Sequence, residues 1–252
     1  MELLYLIPGD GMPDDEIKRR AEAGNAVIRP GSTFHTEEVG HGPLSIESSI
    51  EEYMAIGPML EKLLQIRKQD KYDAVIIGCA GDPGLAAARE MMDIPIIGPA
   101  ESSYHLACMI ADRFSVLTPL QAGVESEDRV RVRIREIGLE SRLASIEFVE
   151  LPIAQMWGLG GNGVIKEISM GVEKAKAKGA GCLVLGCMSM AFKMADEIIQ
   201  EPAIPIVNPL KAAIKTAEMF VDLNLRHSRL TYPAADFGKL MDTVFKNRES
   251  EE

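Results

Sequence analysis

The chain is short of positive charge, aromatic residues and histidine, and each shortage removes a class of function. Lys and Arg number 27 against 38 Asp and Glu, a formal net charge of −11. A chain this acidic has no electrostatic footprint for nucleic acid and no attraction to an anionic membrane surface. No stretch approaches the ~18 apolar residues that span a bilayer. The apolar run Leu3 to Ile7 is too short for a signal h-region, and Glu2 stands where a basic n-region belongs. The expectation is a soluble, cytoplasmic protein with no membrane partner. Four cysteines in 252 residues do not make a secreted disulfide scaffold. No C-x-x-C pair offers a thiolate zinc site, and His35, His41 and His227 share no metal-ligand spacing. No metal site is expected. Aromatics are 5% of the chain, so the core must be built from Ile, Val, Leu, Ala and Met.

What is present is a regular alternation. Short apolar runs occur at Leu3–Ile7, Ala74–Ile77, Ile94–Ile97, Phe114–Leu117, Phe148–Leu151, Cys182–Leu185 and Ile204–Val207. Each ends at Gly, Pro or a small residue. Amphipathic stretches lie between them at Ile56–Gln69, Pro83–Met92, Ser102–Arg113, Ile165–Lys178 and Pro209–Leu223. Continuous apolar strands alternating with helices predict an α/β fold with parallel sheets covered on both faces. Ligands of such sheets sit at the carboxyl ends of the strands.

The chain also repeats itself. AVIIGCAGDPGLAAARE leads to DIPIIGPAESSYHLA, and CLVLGCMSMAFKMADE leads to AIPIVNPLKAAIKTA. Both copies read strand, Gly-Cys, helix, Ile-Pro-Ile, strand, x-Pro, helix. The echo extends upstream, where YLIPGD precedes the first copy and SVLTP the second. The repeat predicts two Rossmann-like lobes related by a pseudo-twofold axis, with the active site between them. Residues 1–97 form the first lobe, residues 98–205 the second, and residues 206–252 return to the first.

Cys79 and Cys187 then occupy equivalent strand ends facing one cleft. Each precedes a predicted helix, with Asp82 and Ser189 as candidate N-caps and Pro83 in a first helical turn. A helix N-terminus lowers a thiol's pKa from about 8.5 toward neutrality, which suits a group that both takes and returns a proton. Two such groups on opposite faces of one carbon meet the geometric need of racemisation. Cys108 falls on the apolar face of a helix and Cys182 opens a strand, so both are assigned to the core. Asp82 reads as a cap rather than a base. Glu101 opens a helix where the dipole favours a carboxylate, and His105 reads as a core histidine. Gly158, Gly160 and Gly163 match G-x-G-x-x-G, but no acidic residue ends a second strand about 20 positions on, so a dinucleotide site is rejected. The run EDRVRVRIRE, Glu127 to Glu136, is assigned a solvated face.

The strings DAVIIGCAGDPGLAAARE, DIPIIGPAESSYHLA, GPLSIES (Gly42–Ser48) and LVLGCMSMA with IPIVNPLKAAIKTAE resemble blocks of the aspartate/glutamate/hydantoin racemase superfamily, above all its hydantoin and allantoin racemases. The resemblance spans about Leu3 to Phe220. It implies a racemase or epimerase acting on a small hydantoin-, allantoin- or amino-acid-like substrate. It implies Cys79 and Cys187 as acid and base, no cofactor (neither pyridoxal phosphate nor metal), and a homo-oligomer. Substrate contacts are expected from Pro8, Gly9, Asp10, Ser45, Ala80, Gly81, Thr118, Met188 and Ser189.

The sequence departs from the family on these loops. Pro8-Gly9-Asp10-Gly11 replaces an Asn-Pro-Asn-Thr-like string, Thr118-Pro119 a Thr-Thr, and Met188-Ser189-Met190 a Gly-Met or Thr-His pair. A maleate-isomerase-like or decarboxylase-like enzyme of the same superfamily, or a binding protein without turnover, is the alternative these departures keep open.

Overall fold

The computed structural model describes residues 1–157, 162–196 and 202–240. Gly158 and Gly160 of the glycine string, and the polar tail KNRESEE, lie outside the described residues. In chain order the elements are β1 (Glu2–Ile7), α1 (Asp14–Val27), β2 (Thr33–Glu38), α2 (Ser49–Gln69), β3 (Ala74–Ile77), α3 (Leu85–Met91), β4 (Ile96–Ile97), α4 (Pro99–Ile110), β5 (Phe114–Pro119), α5 (Asp128–Glu136), β6 (Leu143–Val149), α6 (Asn162–Ala177), β7 (Cys182–Leu185), α7 (Met188–Asp196), β8 (Ile206–Val207), α8 (Pro209–Asp222) and α9 (Phe237–Leu240).

The strands form two four-stranded sheets of order β2-β1-β3-β4 and β6-β5-β7-β8, and every pairing is parallel. The order is the same in both, so the sequence repeat is a structural repeat of two Rossmann-like halves. Even the irregular hydrogen bonds recur. Asp73 N–H donates to Glu2 O, as Gly181 donates to Arg113 O. Val75 donates to Pro95 O, as Leu183 donates to Pro205 O.

Alternate residues of each buried strand face opposite layers, as the period of two requires. From β1 and β3, Leu3, Tyr5 and Ile76 pack with α7 and α8, while Leu4, Leu6, Val75 and Ile77 pack with α2 and α3. From β5 and β7, Leu117, Leu183 and Leu185 pack with α6, while Phe114, Val116 and Val184 pack with α4 and Ile134 of α5.

Helices cross between the halves. Helix α4 leaves the first sheet and covers the second through Ala100, Tyr104 and Ala107. Helix α7 leaves the second sheet and carries Ala191 and Phe192 into the core under β1. The Phe192 ring meets Tyr5 edge-on at 5.2 Å. Residues Ile206 and Val207 pair with β7, and α8, which follows them, packs on the first half through Leu210, Ala213, Ile214 and Ala217.

Several local expectations are corrected. Helix α1 and strand β2 were not anticipated. The α1 positions that are buried are Glu16, Arg20, Ala23 and Gly24, which give no apolar period. Gly24 is needed because any Cβ there would sit 2.2 Å from the Phe34 ring of β2. Strand β2 is an edge strand with only Phe34 buried, so its polar residues conceal it. Strand β6 begins at Leu143, ahead of the predicted run, because its buried face includes Ser145 and Glu147. The helix after Cys79 starts at Leu85, behind an N-cap at Gly84, so Pro83 precedes it.

Candidate active site

Cys79 and Cys187 both line one cavity of about 520 Å³ between the halves. What brings each thiol there is the glycine before it. Gly78 N–H donates to Leu6 O at 2.7 Å, and Gly186 N–H donates to Leu117 O at 2.7 Å. Each chain therefore leaves its sheet by crossing the end of the central strand. A Cβ at Gly78 would lie 2.6 Å from Leu6 O, and one at Gly186 2.9 Å from Val116 Cγ1. Tyr5 Oη donates to Gly78 O at 3.0 Å and fixes the first crossing from below. Gly78→Ala should therefore push the Cys79 loop outward. The expected result is a stability loss of ~1–3 kcal/mol with a rate loss on the order of 10²-fold from misplacement. Urea unfolding and turnover of the purified variant test this. Unchanged turnover would mean that the crossing does not position the thiol.

The sequence-predicted contact residues Pro8, Gly9, Ser45, Ala80, Gly81, Thr118, Met188 and Ser189 also line this cavity. Asp10 does not; its N–H is turned toward Pro43 O at 3.4 Å. Gly9 passes so close to the Gly42–Ser48 segment that a Cβ would meet Pro43 O at 2.4 Å. The string that replaces Asn-Pro-Asn-Thr thus packs the β1 end directly against that loop.

Cys187 is buried and Cys79 is half-buried in the cavity wall, and desolvation decides the acidity of both. It pushes Cys79 up to about 12, against the opposing Gly81 N–H, with the facing Cys187 adding to the rise. Burial also pushes Cys187 up, opposed by the N–H groups of Met190 and Ser189, by Arg20 and by the Ser189 hydroxyl. The expected fall toward neutrality is overturned. Cys187 does sit at the start of α7, but Cys79 is separated from the start of α3 by the Ala80–Gly84 turn, and desolvation outweighs the dipole in both cases.

Asp82 is a cap, but of α4 rather than of the helix that follows it. Held at φ +49°, it accepts the Ala100 N–H at 2.9 Å and the Glu101 N–H at 2.8 Å. This ties the turn after Cys79 to a helix that covers the other half. Burial pushes its carboxyl up to about 6 from an ordinary 3.8. The folded protein then holds this proton more tightly than the unfolded chain. Its contribution to stability is fully present below about pH 3.8 and is lost as pH rises through about 6. The stability advantage of wild type over Asp82→Asn, measured by urea unfolding, should shrink as pH is raised across that window. A constant difference would show that Asp82 ionises outside it.

Ser189 lies inside α7, not ahead of it. Glu101 and His105 lie away from the cysteine cavity, and Glu101 pairs with Arg89. Cys182 is buried between Phe114 and Val184 in the core, and Cys108 is half-buried against the same cluster. Among the described residues, no group of three or more His, Cys, Asp or Glu side chains is arranged to hold a metal ion. None of the helices among the described residues is long and apolar enough to cross a membrane.

Sequence reasoning missed three arginines of the cavity wall, Arg20, Arg129 and Arg133. The run assigned a solvated face is α5, whose Arg129 and Arg133 turn inward. Arg129 binds Glu52 at 2.8 Å. Arg133 donates to Gly81 O and Asp82 O at 3.2 Å each, clasping the turn after Cys79. Arg20 is buried in α1 and pairs with the equally buried Glu16 at 2.8 Å. The one available signal was the four-residue spacing of Arg129 and Arg133, which puts both side chains on one face of α5.

A family model described as Asp/Glu/Hydantoin racemase matches residues 16–217. A hydantoin racemase of Pseudomonas sp. (strain NS671) is 34% identical over 193 residues, 75% of this chain and 74% of that protein. A hydantoin racemase of Paenarthrobacter aurescens is 29% identical over 210 residues, 83% of this chain and 87% of that protein. Among solved structures, an allantoin racemase from Klebsiella pneumoniae superposes with a TM-score of 0.84 at 28% identity, over 94% of each chain. With the model match spanning most of the sequence and both halves of the fold, the chain belongs to the Asp/Glu/hydantoin racemase family, and its enzyme class is that of an isomerase.

Proposed function

We propose that this protein interconverts the enantiomers of 5-monosubstituted hydantoins, with Cys79 and Cys187 as a cofactor-independent acid–base pair. The observation that carries the reading is the presence of two thiols, at equivalent strand ends of a repeated fold, in the wall of one cavity. The C5 hydrogen of a hydantoin is flanked by a ring carbonyl, so its removal leaves an enolate. One sulfur as thiolate takes that proton while the other delivers its own to the opposite face. A single base would have to cross the ring plane.

The cavity wall favours a ring over an amino acid. Each arginine in it already holds a carboxylate: Arg20 holds Glu16, Arg129 holds Glu52, and Arg133 holds Glu136. An α-carboxylate would have to compete for one of them, whereas a hydantoin presents that carbon as a neutral carbonyl. The remaining lining is rich in Leu44, Ile46, Tyr53, Ile56 and Ile153. Such a surface fits an apolar C5 substituent better than the polar ureido group of allantoin, because unpaired polar groups are costly to bury.

The test is to incubate pure enantiomers in heavy water and follow optical rotation and deuterium at the stereocentre. A C5-alkyl or C5-benzyl hydantoin should racemise with full exchange and a higher kcat/KM than allantoin, and aspartate should not react. Preference for aspartate, or no exchange in any hydantoin, would overturn the reading.

A further inference from the structure

The two thiols are not equivalent, and the difference lies two residues after each. After Cys79 that position is Gly81, whose N–H reaches Cys79 Sγ at 3.4 Å. After Cys187 it is Ser189, whose buried hydroxyl oxygen accepts two hydrogen bonds. One comes from Arg20 Nη2 at 3.0 Å and the other from Trp157 Nε1 at 3.1 Å. Guanidinium and indole N–H groups only donate. With both acceptor positions of the hydroxyl filled, its single proton must point to a third partner. Arg20 is itself fixed by Glu16, at 2.8 Å from Nε, and by the Phe192 ring, 4.8 Å from its guanidinium carbon. Ser189 and Cys187 line the same cavity, and the hydroxyl is among the groups that oppose the rise burial gives the Cys187 thiol.

We propose that Arg20 and Trp157 lock the Ser189 hydroxyl as a donor to Cys187 Sγ, so that Ser189 is a positioning residue making Cys187 the resting base and Cys79 the resting acid. This assignment rests on the two-thiol reading of the site. It gives Ser189, which the sequence alone had marked as a substrate contact, a role toward the thiol from within the cavity wall. In the first turnover the Cys187 thiolate takes the C5 proton and becomes a thiol, while the Cys79 thiol gives up its proton and becomes a thiolate. Substrate is neither oxidised nor reduced, and the two sulfurs exchange protonation states. The reverse reaction or solvent then restores the resting form. The enantiomer whose C–H faces Cys187 is the one the resting enzyme accepts.

The experiment reads each thiol separately. Alkylation by iodoacetamide is followed across pH, with peptide mass spectrometry reporting Cys187 in a Cys79→Ser background and Cys79 in a Cys187→Ser background. Cys187 should ionise at lower pH than Cys79. Ser189→Ala should move the Cys187 midpoint up by about one pH unit, roughly tenfold in thiolate fraction at fixed pH, and leave Cys79 unmoved. Ser189→Thr should restore it. Trp157→Phe, which frees one acceptor position, should give a partial shift. In the otherwise wild-type enzyme Ser189→Ala should lower kcat more than it raises KM. An unmoved Cys187 midpoint in Ser189→Ala, or a Cys79 more acidic than Cys187, would overturn the proposal. The alkylation readout needs no substrate, so failure of the hydantoin reading would show separately, as absence of exchange in the wild-type protein.

Discussion

Serine in place of either Cys79 or Cys187 should lower racemisation of a hydantoin by roughly 10³-fold or more, the scale of a lost general acid or base, with the protein still folded. Both side chains line the cavity wall. Exchanging sulfur for oxygen there removes little packing, so the urea midpoint should move only slightly. A hydroxyl, in contrast, is far too weak an acid to be ionised in the same buried setting, since burial already pushes the Cys79 thiol up to about 12. The comparison variant is Cys108→Ala. That thiol is half-buried against the Phe114 cluster, so its removal should change stability and leave turnover alone. Near-normal turnover in either serine variant would remove that cysteine from the chemistry. A selective activity loss in Cys108→Ala would show that a different pair of thiols is at work.

The second large effect is one of handedness. If the thiols flank the stereocentre, each single-serine variant keeps one sulfur on one face. It should exchange the C5 hydrogen of one enantiomer with solvent deuterium while failing to convert it to the other. Cys79→Ser and Cys187→Ser should therefore prefer opposite enantiomers, and the ratio of exchange rates should invert between them. The pH dependence follows from the same pair. Ionising one thiol raises the pKa of the other, since two thiolates facing one cavity repel, and the influence of Cys187 on Cys79 has that sign. The active form carries one thiolate and one thiol. Because burial raises both groups, wild-type kcat/KM should climb as pH rises above neutral and turn over only when the second thiol ionises. Exchange is measured on each pure enantiomer, variant by variant. Both variants exchanging the same enantiomer would mean that the sulfurs share one face, and a nucleophilic role for one of them would then be the better account.

Much of this was legible because it is local. The runs Leu3–Ile7, Ala74–Ile77 and Cys182–Leu185 are buried on both faces, and a strand of that kind must be apolar at every position. The repeat was legible because both halves place Gly-Cys at the end of the third strand, where the next residues cross the central strand and only glycine fits. Helix α1 was hidden because its inner face is an ion pair, Glu16 with Arg20, and such a face has no hydrophobic period. Helix α5 was seen as a charged stretch, but the partners that draw Arg129 and Arg133 inward lie on α2 and in the turn after Cys79.

By itself, the sequence determined the parallel α/β class, the duplication and the two cysteines as the residues to examine. Each of these follows from side-chain type and spacing along one segment. Only the tertiary structure decided what surrounds the thiols. Helix α4 is capped by Asp82 from the first half while covering the second, and α7 carries Phe192 from the second half into the first. That exchange fixes the halves against each other, so the cavity between them is set by packing. It also brings Arg20 onto Ser189, across the chain from α1 to α7. Whether a thiol is raised or lowered depends on how much water its surroundings exclude and which donors reach its sulfur. Those are properties of the assembled interior, and no spacing along the chain records them.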